Sequence, residues 1–389
     1  SIQTTGASYL TILNGAVLTS ATVNTGGGCL VSSGGLVNGA TVTSASVVLY
    51  AGGSGSAVNT TGASYLNVNS GAVMTAAIVN TGGHLLVSSG GSAYGTVVNN
   101  AEMQLYSGAY ASGSYLSGGY AHVGSGATAE NSVISAGTML ISAGGHASTT
   151  LLTNVGEMEI YSGGKATNLQ VNNGTTLRVN SGGTIAGTIA IESSGHVYTT
   201  GGSIIDFTLT GRTSPSDYLI SNYSLISGSS VYTTTVSGSQ STGTYKLASS
   251  VSTFSDSISV MVDNTLVGTV SVSQNLTSGG RLYDLNLSAG NLTLDITLAS
   301  GEPAPTLAEP LSLSSLTESY ALSSPLSYGS SSSLAYDSSG AENTVLPSTD
   351  LNFYGGLEDS TLSNSVDLTL WDDNLSGQST FYSGILAIT

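Results

Sequence analysis

A glycine returns at a nearly fixed interval through the first half of the chain, at Gly15, Gly34, Gly52, Gly71, Gly90, Gly108, Gly126, Gly144, Gly163 and Gly182, so that successive markers lie 18 or 19 residues apart. A period this short holds one supersecondary unit, too small to bury a face by itself. Such units are stable only when stacked, which makes each repeat one rung of a solenoid.

The residues around the markers say what kind of rung. Five and three residues before each stands an apolar pair: Leu10/Ile12, Cys29/Val31, Val47/Leu49, Leu66/Val68, Leu85/Val87, Met103/Leu105, Ala121/Val123, Met139/Ile141, Met158/Ile160 and Leu177/Val179. A spacing of two puts both side chains on one face of an extended strand. Three residues after the marker comes a smaller apolar residue (Ala93, Ala111, Ala129), and eight after it a larger one (Val98, Leu116, Ile134). Four inward positions per rung, with glycine at a corner, describe a parallel β-solenoid of about ten to eleven rungs over residues 1–202. Rungs about 4.8 Å apart would place like residues over like residues. The third rung, around Gly52, is short and has no apolar residue eight positions on, so a local irregularity is expected there. A longer cycle of three rungs lies over the short one. TTGASYL at 4–10 recurs at 60–66, and Tyr50, Tyr106 and Tyr161 each stand two residues before a marker.

The pattern falters at 191–203, and residues 203–300 read as an antiparallel β sandwich or cap. Its alternating runs (Ile258/Val260/Val262, Tyr283/Leu285/Leu287 and Leu292/Leu294/Ile296/Leu298) are joined as hairpins at Asp263-Asn264 and Ala289-Gly290. Residues 301–348 are Pro- and Ser-rich, a linker signature, and strand-like runs return within 349–389. The chain opens at Ser1 already inside the repeat, which reads as the mature or trimmed product of a longer precursor.

Charge excludes more than it suggests. Only Lys165, Arg178, Arg212, Lys246 and Arg281 are basic, against 22 acidic residues and a net charge of −17. Nucleic acid and anionic membrane surfaces both call for clustered Lys and Arg, and there is no cluster. No apolar run is long enough to span a bilayer, so no membrane insertion by this chain is expected. The single cysteine, Cys29, falls on an inward position and reads as a small buried hydrophobe.

No catalytic residue, no cofactor and no metal is assigned. His84, His122 and His146 sit six before, four before and two after their markers, so they share no column, as a stacked metal ladder would. Acids are scattered singly, and no acid–base or nucleophile–base pair can be named. The glycine corners lack the aspartates of calcium-binding nonapeptide repeats. Asp372-Asp373-Asn374 reads as a solvated turn, and Lys246 as a solvated lysine in preference to a crosslink to Asn or Asp. Seven Asn-x-Ser/Thr matches, Asn59, Asn173 and Asn222 among them, are expected by chance in this composition. Tyr9, Tyr65 and Tyr120 share the column six before the marker at every third rung; such spaced rings could stack on sugars, and duplication alone also accounts for them.

Repeats such as GGHLLVSSGGSAYGTVVN (82–99) and GTMLISAGGHASTTLLTN (137–154) resemble those of AIDA-type adhesins, the surface-exposed passenger regions of autotransporters, over roughly residues 4–190. The block 242–296 resembles the segment that often follows them. The resemblance implies a right-handed parallel β-helix, export across the outer membrane to the bacterial surface, adhesion or aggregation, and sugar modification of Ser and Thr. The 89 residues from 301 to 389 hold too few strands for the membrane barrel of that family, so either the barrel was removed or the surface is reached another way. The functional expectation is a secreted or surface-displayed structural adhesin whose partners are a host or neighbouring cell surface, glycans or copies of itself. An extracellular fibre subunit joined by strand exchange is the alternative, and a polysaccharide-acting β-helix enzyme a distant third.

Overall fold

A computed structural model describes residues 2–299, without Thr5 and residues 214–216, together with the strands Leu351–Tyr354, Ser365–Asp372 and Thr380–Ala387. It contains two compact units, residues 1–302 and 303–389. In the first, the stretch Tyr9–Ile12 pairs in parallel with Gly28–Val31, that with Ser46–Leu49, and so on through Thr176–Val179 to His196–Thr208. These strands make the first face of eleven rungs. Val17–Thr19 and its successors make a second face, and Thr22–Val23 and its successors a third. From the eighth rung the second and third faces are served by single strands, His146–Leu152, Lys165–Val171 and Thr184–Ile191.

The inward columns hold the core. Leu66, Leu85 and Met103 stack in register, as do Val68, Val87 and Leu105, with each side chain no more than 1% exposed. Cys29 is fully buried in the same column, and burial pushes its thiol up to about 11. The chain turns between faces through left-handed corners. All ten marker glycines have φ between 70° and 76°, a region costly for any residue with a Cβ. Their backbone also bonds upward. The N–H of Gly34 donates to Gly52 O at 2.9 Å, and that of Gly71 to Gly90 O at 2.9 Å, so the corner is a hydrogen-bonded ladder.

A second left-handed column, five residues after the marker, has no glycine signature. It runs Ser20, Gly39, Ala57, Ala76, Gly95, Gly113, Asn131, Thr149, Asn168 and Gly187, with φ between 50° and 72°. A third corner comes ten or eleven after the marker, at Gly26, Ser44, Gly62, Gly82, Asn100 and Gly118 among others.

The irregularity expected at the third rung is absent. Ser54–Ser56 and Asn59–Thr61 pair in unbroken register with the rungs on both sides. The missing volume is made up locally: Met74 occupies the space a side chain at Gly55 would need, and Thr60 is fully buried in the apolar column.

The parallel stack also runs past residue 202. Val197 lies on Leu177 and Thr199 on Val179, and Gly202 accepts the corner bond from Gly182 at 2.8 Å. His196–Thr208 then pairs in parallel with Ile226–Val236, and that strand with Ser257–Val262. The expected boundary at 202/203 therefore falls inside a strand. On the third face Ile189, Ile220 and Ala248 continue the parallel column as single bridges.

Antiparallel pairing begins only above these rows. Ser257–Val262 turns at Asp263-Asn264, both at positive φ, into Thr265–Ser271. Gly243–Ser249 joins a four-stranded antiparallel sheet with Asn291–Leu298, Arg281–Ser288 and Asn275–Ser278. The hairpin at Ala289-Gly290 is of the two-residue kind whose paired positive φ values suit strand twist.

Polar side chains staple this end. Gln240, 4% exposed, donates from Nε2 to Arg212 O at 2.7 Å and to the Tyr245 hydroxyl at 2.9 Å. Arg281 donates to the carbonyls of Gln240 and Gly238. In the second unit the three described strands form one antiparallel sheet, Thr380–Ala387 and Leu351–Tyr354 flanking Ser365–Asp372. The Pro/Ser-rich stretch 301–348 and the pair Asp373-Asn374 lie outside the described residues.

Candidate functional surface

Because the inward positions of a strand alternate with outward ones, the first face presents three outward columns, six, four and two residues before the marker. They carry most of the exposed aromatic surface. Tyr9, Tyr65 and Tyr120 lie in the first column, 66%, 45% and 55% exposed, and Tyr50, Tyr106 and Tyr161 in the last. The three copies in the first column have diverged in surroundings. Tyr9 lies against Gly28, where a Cβ would meet its ring at 2.6 Å. Tyr65 is stacked on His84, with centroids 4.8 Å apart and planes 10° from parallel. Tyr120 stands beside His122 at 6.4 Å and forms one wall of a groove.

That groove, about 390 Å³, is floored by Gly82, Gly83, Ala101 and Gly119, with His84, Asn100 and Glu102 around it. The residues just after three consecutive third corners, Gly83, Ala101 and Gly119, carry almost no side chain, while the neighbouring outward column holds His84, Glu102 and Tyr120. Gly119 is fixed by the backbone: φ is +76°, and a Cβ would meet Ala101 O at 2.0 Å. His84 and Glu102 face each other on adjacent rungs, Nδ1 to Oε2 at 3.0 Å, and His122 Nε2 lies 4.0 Å from Glu102 Oε1. The structure thus brings together two histidines that share no column, because Glu102 spans the diagonal between columns. Among the described residues no group of three or more His, Cys, Asp or Glu could hold a metal ion.

The third histidine is elsewhere. His146 lies on the second face, its Nε2 3.3 Å from Thr167 Oγ1 and its neighbour in register Lys165; burial first, then the lysine charge, holds its pKa down. On that face Tyr110 donates to Glu130 at 2.7 Å, which raises the phenol pKa, and packs against Tyr94.

Besides Arg281, three basic residues are held by local partners. Arg178 lies over the Tyr198 ring at 5.2 Å and Lys246 over Tyr218 at 5.4 Å, while Arg212 donates to Thr188 at 2.7 Å. The amide of Asn222 serves the fold, donating to Ile191 O at 2.6 Å, and Asn59 accepts from Asn80 in a short amide ladder continued by Asn99. Asn173 accepts from the backbone and hydroxyl of Ser194.

Solved structures similar to this chain include a glycosylated fragment and an adhesin. A TibC-catalysed hyper-glycosylated TibA fragment is 27% identical, with a TM-score of 0.33, over 53% of this chain and 90% of that one. The Haemophilus influenzae Hap adhesin is 17% identical, with a TM-score of 0.30, over 73% of this chain and 33% of the adhesin. An alginate lyase from a Paenibacillus species is more remote, at 13% identity and a TM-score of 0.15, over 57% of this chain and 87% of the lyase. No family model and no curated protein matches the sequence.

Proposed function

We propose that this chain is a bacterial secreted or surface-displayed structural adhesin, exported across the outer membrane, which contacts host or neighbouring cell surfaces through the outer face of its solenoid without catalysis. The observation that carries this reading is the first face: exposed tyrosines in its outward columns, Tyr9, Tyr50, Tyr65, Tyr106, Tyr120 and Tyr161, on a face eleven rungs long. Such an array suits many weak contacts made in parallel, whose combined strength exceeds any single one. The rigid backbone supports it, since little ordering is needed on contact. The resemblance of the repeats to AIDA-type passengers points the same way.

The test is to display the full chain on a non-adherent bacterium and measure both retention on epithelial and matrix-coated surfaces and settling of the culture. Retention or aggregation above the undisplayed parent is the expected result. A chain that reaches the surface and alters neither overturns the proposal. A screen of acidic and neutral polysaccharides is expected to show no turnover; turnover abolished by one substitution would replace the adhesin with an enzyme.

A further inference from the structure

The groove beside Tyr120 combines apolar and polar chemistry. One wall is the exposed phenol ring of Tyr120. The floor is small and apolar, glycine and alanine. Beside the ring, in register with it on the adjacent rung, stands the Glu102 carboxylate, and the Asn100 amide lines the groove as well. His84 engages Glu102 Oε2 at 3.0 Å and orients the carboxylate, leaving Oε1 with lone pairs free to accept, since His122 is 4.0 Å away. The amide of Asn100 can both donate and accept. A ligand matching this set needs an apolar face to lie on a ring and an edge rich in hydroxyls to meet the carboxylate and the amide. That is a pyranose.

We infer that the groove formed by Tyr120, Glu102, Asn100 and Gly119 is a binding site for a single neutral sugar ring of a glycan. The volume, about 390 Å³, lies at the small end of ligand sites, which span roughly 300–1,000 Å³. Acidic sugars are disfavoured by the Glu102 carboxylate and by a chain of net charge −17. A bare organic cation fits less well, because caging one takes several rings and only Tyr120 lines the groove, Tyr65 being stacked on His84. The site is rigid where it matters: Gly119–Val123 is paired in register with Ala101–Leu105 on one side, and its residues Tyr120 to Val123 pair with Thr138–Ile141 on the other. Tyr9 and Tyr65, the two other copies, do not line this groove, so duplication accounts for the ring at position 120 but not for its surroundings.

The site rests on the adhesin reading only for where its sugar comes from. The purified full chain is to be titrated by saturation-transfer NMR with methyl glycosides of neutral hexoses, deoxyhexoses and N-acetylhexosamines, with a methyl sialoside, and with tetramethylammonium. At least one neutral glycoside is expected to give saturation transfer to its C–H protons. Tyr120→Ala should abolish the signal, and Glu102→Gln should weaken binding about tenfold, the size of one lost charged hydrogen bond. Tyr9→Ala, in the same column but outside this groove, should leave it unchanged. Circular dichroism melts serve as the folding control, and Tyr120, being exposed, should not shift them. Silence from every neutral glycoside overturns the inference, as does preference for the sialoside or the ammonium ion, or equal loss with Tyr9→Ala. Displayed cells that still adhere while the purified protein binds no glycoside defeat this site and leave the adhesin reading standing.

Discussion

Leu85 and Leu86 are neighbours in sequence and opposites in the solenoid, which makes them a sharp test of the register. Leu85 is fully buried, stacked between Leu66 and Met103, whereas Leu86 points outward and is half-buried. Truncating a fully buried leucine to alanine costs about 2–5 kcal/mol, from lost transfer energy and the cavity left behind. Leu85→Asp loses that packing and also places a carboxylate in an apolar column, where desolvation adds several kcal/mol. A sum of this size approaches the whole stability of a typical domain, about 5–15 kcal/mol. In a stack whose rungs touch only their neighbours, the damage should centre on the substituted rung and those beside it. Leu86→Asp should cost about 1 kcal/mol or less, because its carboxylate stays in water. The assay is urea unfolding followed by circular dichroism, with hydrogen exchange read peptide by peptide. Leu85→Asp should lower the midpoint sharply and deprotect Tyr65–Val68 and Ala101–Leu105 first. A Leu85→Asp variant that melts like the parent, or a Leu86→Asp variant equally damaged, would refute the register.

Other expectations follow from corners, burial and titration. Thr149 sits at φ 52° between rungs that place Asn131 and Asn168 at the same corner; Thr149→Asn should stabilise by about 1 kcal/mol in urea unfolding, and a loss of stability would show that the corner is not strained. Gly119→Ala should be far more damaging than Gly71→Ala, since a Cβ at Gly119 meets Ala101 O at 2.0 Å while at Gly71 nothing lies nearer than 3.8 Å, and both share the positive-φ penalty; equal melting temperatures would contradict this. The Cys29 thiol, buried and pushed up to about 11, should resist a thiol reagent at pH 8 until the protein is unfolded. His146 has its folded pKa held below the unfolded value near 6.5, so it favours the folded state above that pH and the contribution is lost as pH falls through the folded pKa; His146→Gln should flatten the fall in stability between pH 7 and 5, and an unchanged slope would count against it.

The core was the most legible part of this sequence, for a physical reason. Inward columns must be apolar in every rung, so Leu85, Val87, Ala93 and Val98 announce themselves by period alone, and all are fully buried. The second corner was hidden because the left-handed conformation there is met by Ser, Ala, Thr and Asn as well as Gly, and only geometry unites Ser20, Ala57 and Thr149. The end of the parallel stack was hidden in the same way. At Thr199 a threonine takes a core position, 6% exposed, and compensates by donating to Ser227 O at 3.2 Å. Apolar periodicity lapses at such a position while the backbone pairing, which defines the rung, goes on to Ser257–Val262.

The groove was illegible for a different reason. A column argument looks for one residue type at a given offset from the marker; His84, Glu102 and Tyr120 share an offset but not a type, and His122 stands in another column. Outward columns are side by side, however, and rungs are only about 4.8 Å apart, so long side chains reach diagonal neighbours as easily as those directly above. The partner of an outward residue is therefore drawn from several positions 16 to 21 residues away, such as the pairs His122 with Glu102 and Asn80 with Asn59. Duplication copies a residue but not that neighbourhood. Tyr9, Tyr65 and Tyr120 descend into three environments because the rung above supplies Gly28 to the first, His84 to the second and Thr138 to the third. In a solenoid the period therefore writes the core directly, whereas surface chemistry arises from differences between adjacent rungs, which is where a site can form without disturbing the stack.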